Sequence, residues 1–234
     1  MQTDIFNKLQ IMKENKETQN TEIGDVISKT ENFIEKNKRI LVGAICAILV
    51  IVVAIFGYRA CNENHNNEAA DVIFPAQQWF GQDSLQLALK GNAQHPGFEQ
   101  IADDYSSTKI GNLAKYYAGI CNLRLGNYQA AIDYFEDYSG KDVMTSVTSI
   151  ILTGDAYLEL GNDNKALSCY EKAAKNSDDD INTPMALFKA GMIYMIQNNE
   201  KAALEKFNAI KTEYPASTEA RSIDKYIGYA ESAE

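Results

Sequence analysis

The sequence predicts an all-α protein: a single transmembrane helix followed by a solenoid of antiparallel helix pairs. Residues 40–58, ILVGAICAILVIVVAIFGY, contain no charged side chain. Lys36, Lys38 and Arg39 stand directly before that run. Beyond it, one pattern of small, turn-forming and aromatic residues recurs three times between residues 112 and 215.

Residues 1–39 are expected to form a cytoplasmic tail. Residues 1–22 are rich in Gln, Asn, Lys, Glu and Thr, a composition that buries too little apolar surface to fold alone. Near 23–36, Ile23, Val26, Ile27, Thr30, Phe33 and Ile34 recur at helical spacing with charged residues opposite them. That pattern fits an amphipathic helix lying on the membrane surface or against a partner helix, or simply continuing the anchor.

The run at 40–58 has the length a helix needs to cross the hydrocarbon core, roughly 20 residues. A cleaved signal peptide would have a short basic start and small residues at its end. Here 39 mostly polar residues come first and Gly57-Tyr58-Arg59-Ala60 follows. Acylation at Cys61 would want small residues where Tyr58 and Arg59 stand. An uncleaved anchor is the reading that remains. Lys29, Lys36, Lys38 and Arg39 flank its amino end and only Arg59 its carboxyl end. That bias puts the amino terminus in the cytoplasm and the rest outside, in the periplasm for a Gram-negative inner membrane.

Residues 59–67, RACNENHNN, are expected to be a polar tether, and residues 68–234 the outer domain. Within 68–106, Glu68–Phe80 and Gly97–Tyr105 resemble a degenerate first pair. Trp79, Phe80, Phe98, Ile101 and Tyr105 supply its contacts, and Asp83–Pro96 is a longer connection.

The repeats occupy 112–142, 147–175 and 184–215. Each has a glycine in its first helix, Gly119, Gly154 and Gly191, and these are 35 and 37 residues apart. Each has a turn, Gly126-Asn127, Gly161-Asn162 and Asn198-Asn199. Gly or Asn at such a place accepts the left-handed conformation that ends a helix, and so short a link sends the next helix back antiparallel. Each then has a small residue, Ala131, Ala166 and Ala203, with an aromatic four positions on, Phe135, Tyr170 and Phe207. The small residues let the helices approach and the aromatic fills the space beside them. One pair cannot bury its own apolar face, so the pairs must stack. Residues 217–230 are expected to close the stack as a terminal helix capped by Ser217 or Thr218, with Ile223, Tyr226 and Ile227 turned inward.

These residues resemble the tetratricopeptide repeat, which sets Gly, Tyr, Ala, a large aromatic, Ala and Pro along about 34 residues. The second copy matches best, with Gly154, Tyr157, Gly161, Ala166, Tyr170 and Ala173. The third adds Tyr194 and Pro215. The first departs, with Asn122 in place of Tyr and Tyr138 in place of Ala.

The resemblance also implies an inner groove lined by fixed positions of each first helix. Carried over, these are Leu113, Tyr116, Ile120, Leu123 and Arg124, then Thr148, Ile151, Asp155, Leu158 and Glu159, then Met185, Phe188, Met192, Met195 and Ile196. Tyr116 and Ile120 stand where a carboxylate clamp would begin, which argues against one. Apolar side chains with three methionines suit an amphipathic helix or an unfolded apolar segment. Alternatively, the terminal helix and the upstream pair cover these residues as core.

The net charge of −10 falls entirely on residues 59–234, which hold 15 basic and 25 acidic side chains. Nucleic acid and anionic lipid are both poor partners for such a domain, because each needs clusters of Lys and Arg. Cys46, Cys61, Cys121 and Cys169 have neither redox-pair nor zinc spacing. Cys121 and Cys169 lie on apolar helix faces and are read as small hydrophobes. Asp178-Asp179-Asp180 lacks the glycine-bearing loop of a calcium site. His65 and His95 join no catalytic set, and no phosphate loop or dinucleotide fingerprint occurs. No enzyme activity and no cofactor, metal or small-molecule substrate is expected.

The whole arrangement is similar to the YfgM-like family of bacterial inner-membrane proteins from about residue 23 onward. Members associate with the Sec translocon and periplasmic chaperones. The resemblance implies a chaperone-like, non-enzymatic role in handling newly exported clients. The competing expectation is a scaffold that assembles an envelope complex without touching unfolded clients.

Overall fold

The computed structural model describes residues 2–140 and 142–233, with side chains from residue 35 onward apart from 41 and 45. The chain divides into two compact units, Met1–Ala60 and Cys61–Glu234. Helix α1 (Gln2–Gly81) contributes to both. The side chains that define the amphipathic pattern near 23–36 lie, through residue 34, outside the described residues.

In the first unit, every described side chain between 40 and 58 is exposed, including Val53 at 70% and Phe56 at 68%. Nothing among the described residues of this chain covers these apolar side chains. This one helix is long and apolar enough to cross a membrane.

The second unit is built from helices joined by short connections among its described residues. The end of α1 is followed by α2 (Leu85–Lys90) and α3 (Phe98–Asp104). Three helix pairs come next: α4 (Lys109–Arg124) with α5 (Tyr128–Asp137), α6 (Val143–Glu159) with α7 (Asp163–Asn176), and α8 (Asn182–Ile196) with α9 (Glu200–Glu213). A 3-10 turn, Glu219–Ser222, leads into α10 (Ile223–Ala233). The terminal helix therefore starts later and ends later than its sequence pattern indicated. Ser217 accepts from the Ala220 amide at 3.2 Å at the start of that turn.

The pair turns share one hydrogen-bonded form. Asn127, Asn162 and Asn199 donate their amides to Asn122, Tyr157 and Tyr194 at 2.9, 2.8 and 2.9 Å. The preceding residues, Gly126, Gly161 and Asn198, have φ of 81°, 72° and 52°. Those three residues donate in turn to Leu123, Leu158 and Met195 at 3.2, 2.8 and 3.1 Å, so each turn satisfies two carbonyls that a helix end otherwise leaves open. At helix starts, the side chains of Thr108, Asp142, Asn162 and Asn199 cap α4, α6, α7 and α9 by accepting backbone amides.

Close approach explains the recurring glycines. A Cβ on Gly119 would meet the Phe135 ring at 2.6 Å, and one on Gly154 would meet the Tyr170 ring at 2.6 Å. Gly191 stands against Phe207 in the same way. Ala131, Ala166 and Ala203 are fully buried beside them. Burial of Phe135 and Phe207 contributes on the order of 1.5–3 kcal/mol each.

Residues 83–96 and 59–67 also differ from the sequence reading. Asp83–Pro96 holds helix α2 and an antiparallel bridge between Gly91 and Pro96, and Ala88 and Leu89 enter the core. Residues 59–67, read as a tether, are helical within α1. Asn62 accepts from the Ser107 hydroxyl at 3.1 Å, and Asn66 accepts from the Ile110 amide at 3.0 Å. Polar composition there marks a hydrogen-bonding face of a helix, not a solvated coil.

Candidate functional site

The first helices of successive pairs touch one another, α4 with α6 and α6 with α8, while the second helices pack on the first helices to either side. The stack therefore closes on the side of α4, α6 and α8, and their shared face is the candidate site. Tyr116, Ile120 and Leu123 are half-buried against a cluster that includes Ile132, Phe135 and Ala156. Leu158 is 37% exposed and Ile196 is 60% exposed. Met192 and Met195 are half-buried against the cluster around Phe207.

Two expected groove residues are placed otherwise. Ile151 is only 1% exposed inside the cluster of Ala166, Tyr170 and Ala190, because its side of α6 faces helix α7 and helix α8 together. It belongs to the core. Phe188 packs edge-on against Tyr226 of α10, ring centroids 4.8 Å apart, so the terminal helix covers it.

Between α4, α6 and α8 lies a pocket of about 350 Å³ lined by Leu123, Arg124, Tyr128, Asp155, Leu158, Glu159 and Lys189. Its floor is polar and fully paired. Asp155 accepts from the Tyr170 hydroxyl at 2.7 Å and from Lys189 at 2.8 Å. Burial, reinforced by that bond to Asp155, pushes the Tyr170 hydroxyl far above its ordinary range and keeps it a donor. The Glu159 carboxylate beside Tyr128 likewise raises the pKa of that hydroxyl. Arg124 reaches Asp83 at 2.6 Å. With its charges so committed, the pocket offers apolar contact and fixed dipoles.

A family model described as "Tetratricopeptide repeat" matches residues 98–142 and 151–218. Those stretches are tetratricopeptide repeats. No curated protein shows significant similarity to the chain. As tetratricopeptide repeats, the stacked pairs form a protein–protein interaction module, and their partners are proteins.

The carried-over groove positions include Asp155 but not Tyr128 or Lys189, and they give no sign that Asp155 is bonded to Tyr170. Asp155 and Lys189 are 34 residues apart, one repeat length, so their opposite charges at that spacing were a usable signal. The usual repeat tyrosine also has a role: Tyr157 and Tyr194 donate to Glu136 and Glu171 of the preceding pair at 3.2 and 2.6 Å. Asn122, at that position in the first copy, instead donates to Ala118 and accepts from the Asn127 side chain. Tyr138 shares a 2.8 Å bond with Thr145.

The other candidate chemistry is structural. Asp178 accepts from Tyr214 and Asp179 from the Ile181 and Asn182 amides, so two of the three linear carboxylates hold the α7–α8 connection. All four cysteines are free, and burial pushes the Cys121 thiol up to about 12. Among the described residues, no three His, Cys, Asp or Glu side chains group as metal ligands do.

Proposed function

We propose that this chain is a non-enzymatic, membrane-anchored interaction protein of the bacterial inner membrane, with its amino terminus cytoplasmic and its repeats periplasmic. In that role it captures apolar segments of newly exported proteins beside the Sec translocon, in company with periplasmic chaperones. The observation that carries the proposal is the row of Leu123, Leu158 and Met195 at one position of successive repeats, with Leu158 and the adjacent Ile196 substantially exposed. An apolar row beside fully paired charges suits a segment recognised by burial rather than by a terminal carboxylate. Methionines at Met192 and Met195 allow that surface to fit varied sequences. The basic residues before the apolar run, and the acidic balance after it, support the orientation.

The test replaces Leu158 and Ile196 with Asp in the full chain. Both side chains are exposed, so the fold should survive, which circular dichroism checks. Expected is loss of site-specific crosslinks from Tyr128 to nascent exported chains. Unchanged crosslinks from a folded double variant would remove the inner face as the site. Crosslinks confined to a fixed set of folded envelope proteins would support a scaffold instead.

A further inference from the structure

We propose that a second pocket, where the chain enters α4 and α6, binds an uncharged oligosaccharide that carries acetamido groups. Every residue lining it belongs to the second unit. Leu158 stands near the other end of α6, so occupancy of this pocket is independent of the inner-face reading.

The pocket holds about 820 Å³, within the range usual for small-molecule sites. Asn62 of α1, the chain entering α4 and the chain between α5 and α6 line it. Ile110 and Leu113 supply an apolar wall. Tyr138 supplies an aromatic one, its ring held at 5.3 Å from that of Tyr116. The charges cancel. Lys109 lines the same space as Asp142, and Lys115 is paired with Asp137 at 2.5 Å. Among the described residues, then, neither sign of ligand charge is favoured.

Hydrogen bonding is what remains. The Asn112 side-chain oxygen accepts from the Ser139 amide at 3.0 Å, and that of Asn62 from the Ser107 hydroxyl at 3.1 Å. A backbone N–H can only donate, so the Asn112 carboxamide is fixed with its oxygen on Ser139 and its NH2 group left over. Neither NH2 group has a partner among the described residues. No unpaired side-chain nitrogen or oxygen among those residues is buried, so both groups are open to a ligand. Lys109 and the exposed Ser106 add further donors. Donors held this way lose little freedom on binding and call for a ligand rich in acceptors. Sugar hydroxyls accept from them and can donate to the Asp142 carboxylate. An acetamido group brings a carbonyl for an NH2 donor and a methyl for the wall of Ile110 and Leu113. The C–H face of a sugar ring suits the Tyr138 ring.

The test adds N,N′,N″-triacetylchitotriose to the full chain in phosphatidylcholine nanodiscs and follows amide hydrogen exchange at 106–115 and 142–146. Maltotriose, which lacks acetamido groups, is the comparison. Chitotriose at a concentration equal to its Kd should slow exchange there about twofold, as half-filling of a site requires. Asn112→Asp keeps the oxygen that holds Ser139 and replaces the donor by an acceptor. The domain should stay folded by circular dichroism while affinity falls about tenfold, the loss of one hydrogen bond. Asn62→Asp should do the same from α1, whereas Asn208→Asp, exposed on α9, adds equal charge and should leave binding intact. No protection by chitotriose, equal protection by maltotriose, or protection indifferent to both pocket variants would overturn the proposal. Protection by a glycine–serine peptide and not by the sugar would also overturn it, giving the pocket to an extended backbone.

Discussion

At the scale of single residues, the repeat is a steric code. Gly154 and Tyr170 occupy one space, as do Gly119 with Phe135 and Gly191 with Phe207. Gly154→Ala should therefore destabilise the domain by about 1–3 kcal/mol, the usual range for overpacking. Urea unfolding of the wild type and variant checks this. These pairs were legible in the sequence because a glycine and an aromatic at fixed spacing leave few alternatives. The role of Tyr157 and Tyr194 was not, since a hydroxyl's partner on a neighbouring pair has no local signature. Those hydroxyls also predict a pH response. The bond to Glu171, with burial, pushes Tyr194 up to about 12, and burial, with Glu99 and Asp103 nearby, does the same for Tyr134. Unfolded tyrosine loses its proton near pH 10. From about pH 10 to about 12 the folded chain holds protons that the unfolded chain has released. Stability should be intact below that window and fall as pH rises through it. Urea midpoints across the window should fall less steeply for Tyr194→Phe than for the wild type.

At the scale of elements, helix ends are specified locally and helix existence is specified by packing. The turns at Gly126, Gly161 and Asn198 were readable because positive φ restricts the choice of residue. Gly161→Ala should cost about 1–2 kcal/mol through that backbone conformation alone, because a Cβ there meets nothing within 4 Å. Its urea midpoint should fall, while the far-ultraviolet spectrum stays unchanged. Helix α2 escaped notice because six residues, LQLALK, carry too little periodicity to stand out. It exists because Ala88 and Leu89 complete the core against α3 and α4. The same limit applies to 59–67, whose asparagines look like linker residues until Ser107 and Ile110 supply their partners. Ile151 shows the corresponding limit for the site. A position carried over from a family pattern names the helix face, but local packing decides whether the side chain reaches solvent. Leu158, three positions after Asp155 and near the helix end, does reach it.

At the scale of the whole molecule, an exposed apolar helix and an acidic repeat domain divide the labour. The first is long and apolar enough to cross a membrane, and the second supplies a surface for proteins. The central claim is that the face of α4, α6 and α8 meets exported chains at the membrane. The most direct measurement puts a photo-crosslinking amino acid at Leu158 of the full chain in living cells, with a second at exposed Lys201 on α9 for comparison. Adducts with translocon subunits and with chains still being exported, formed from Leu158 and absent from Lys201, are the predicted result. Adducts identical at the two positions, or none from Leu158 while export proceeds, would contradict it.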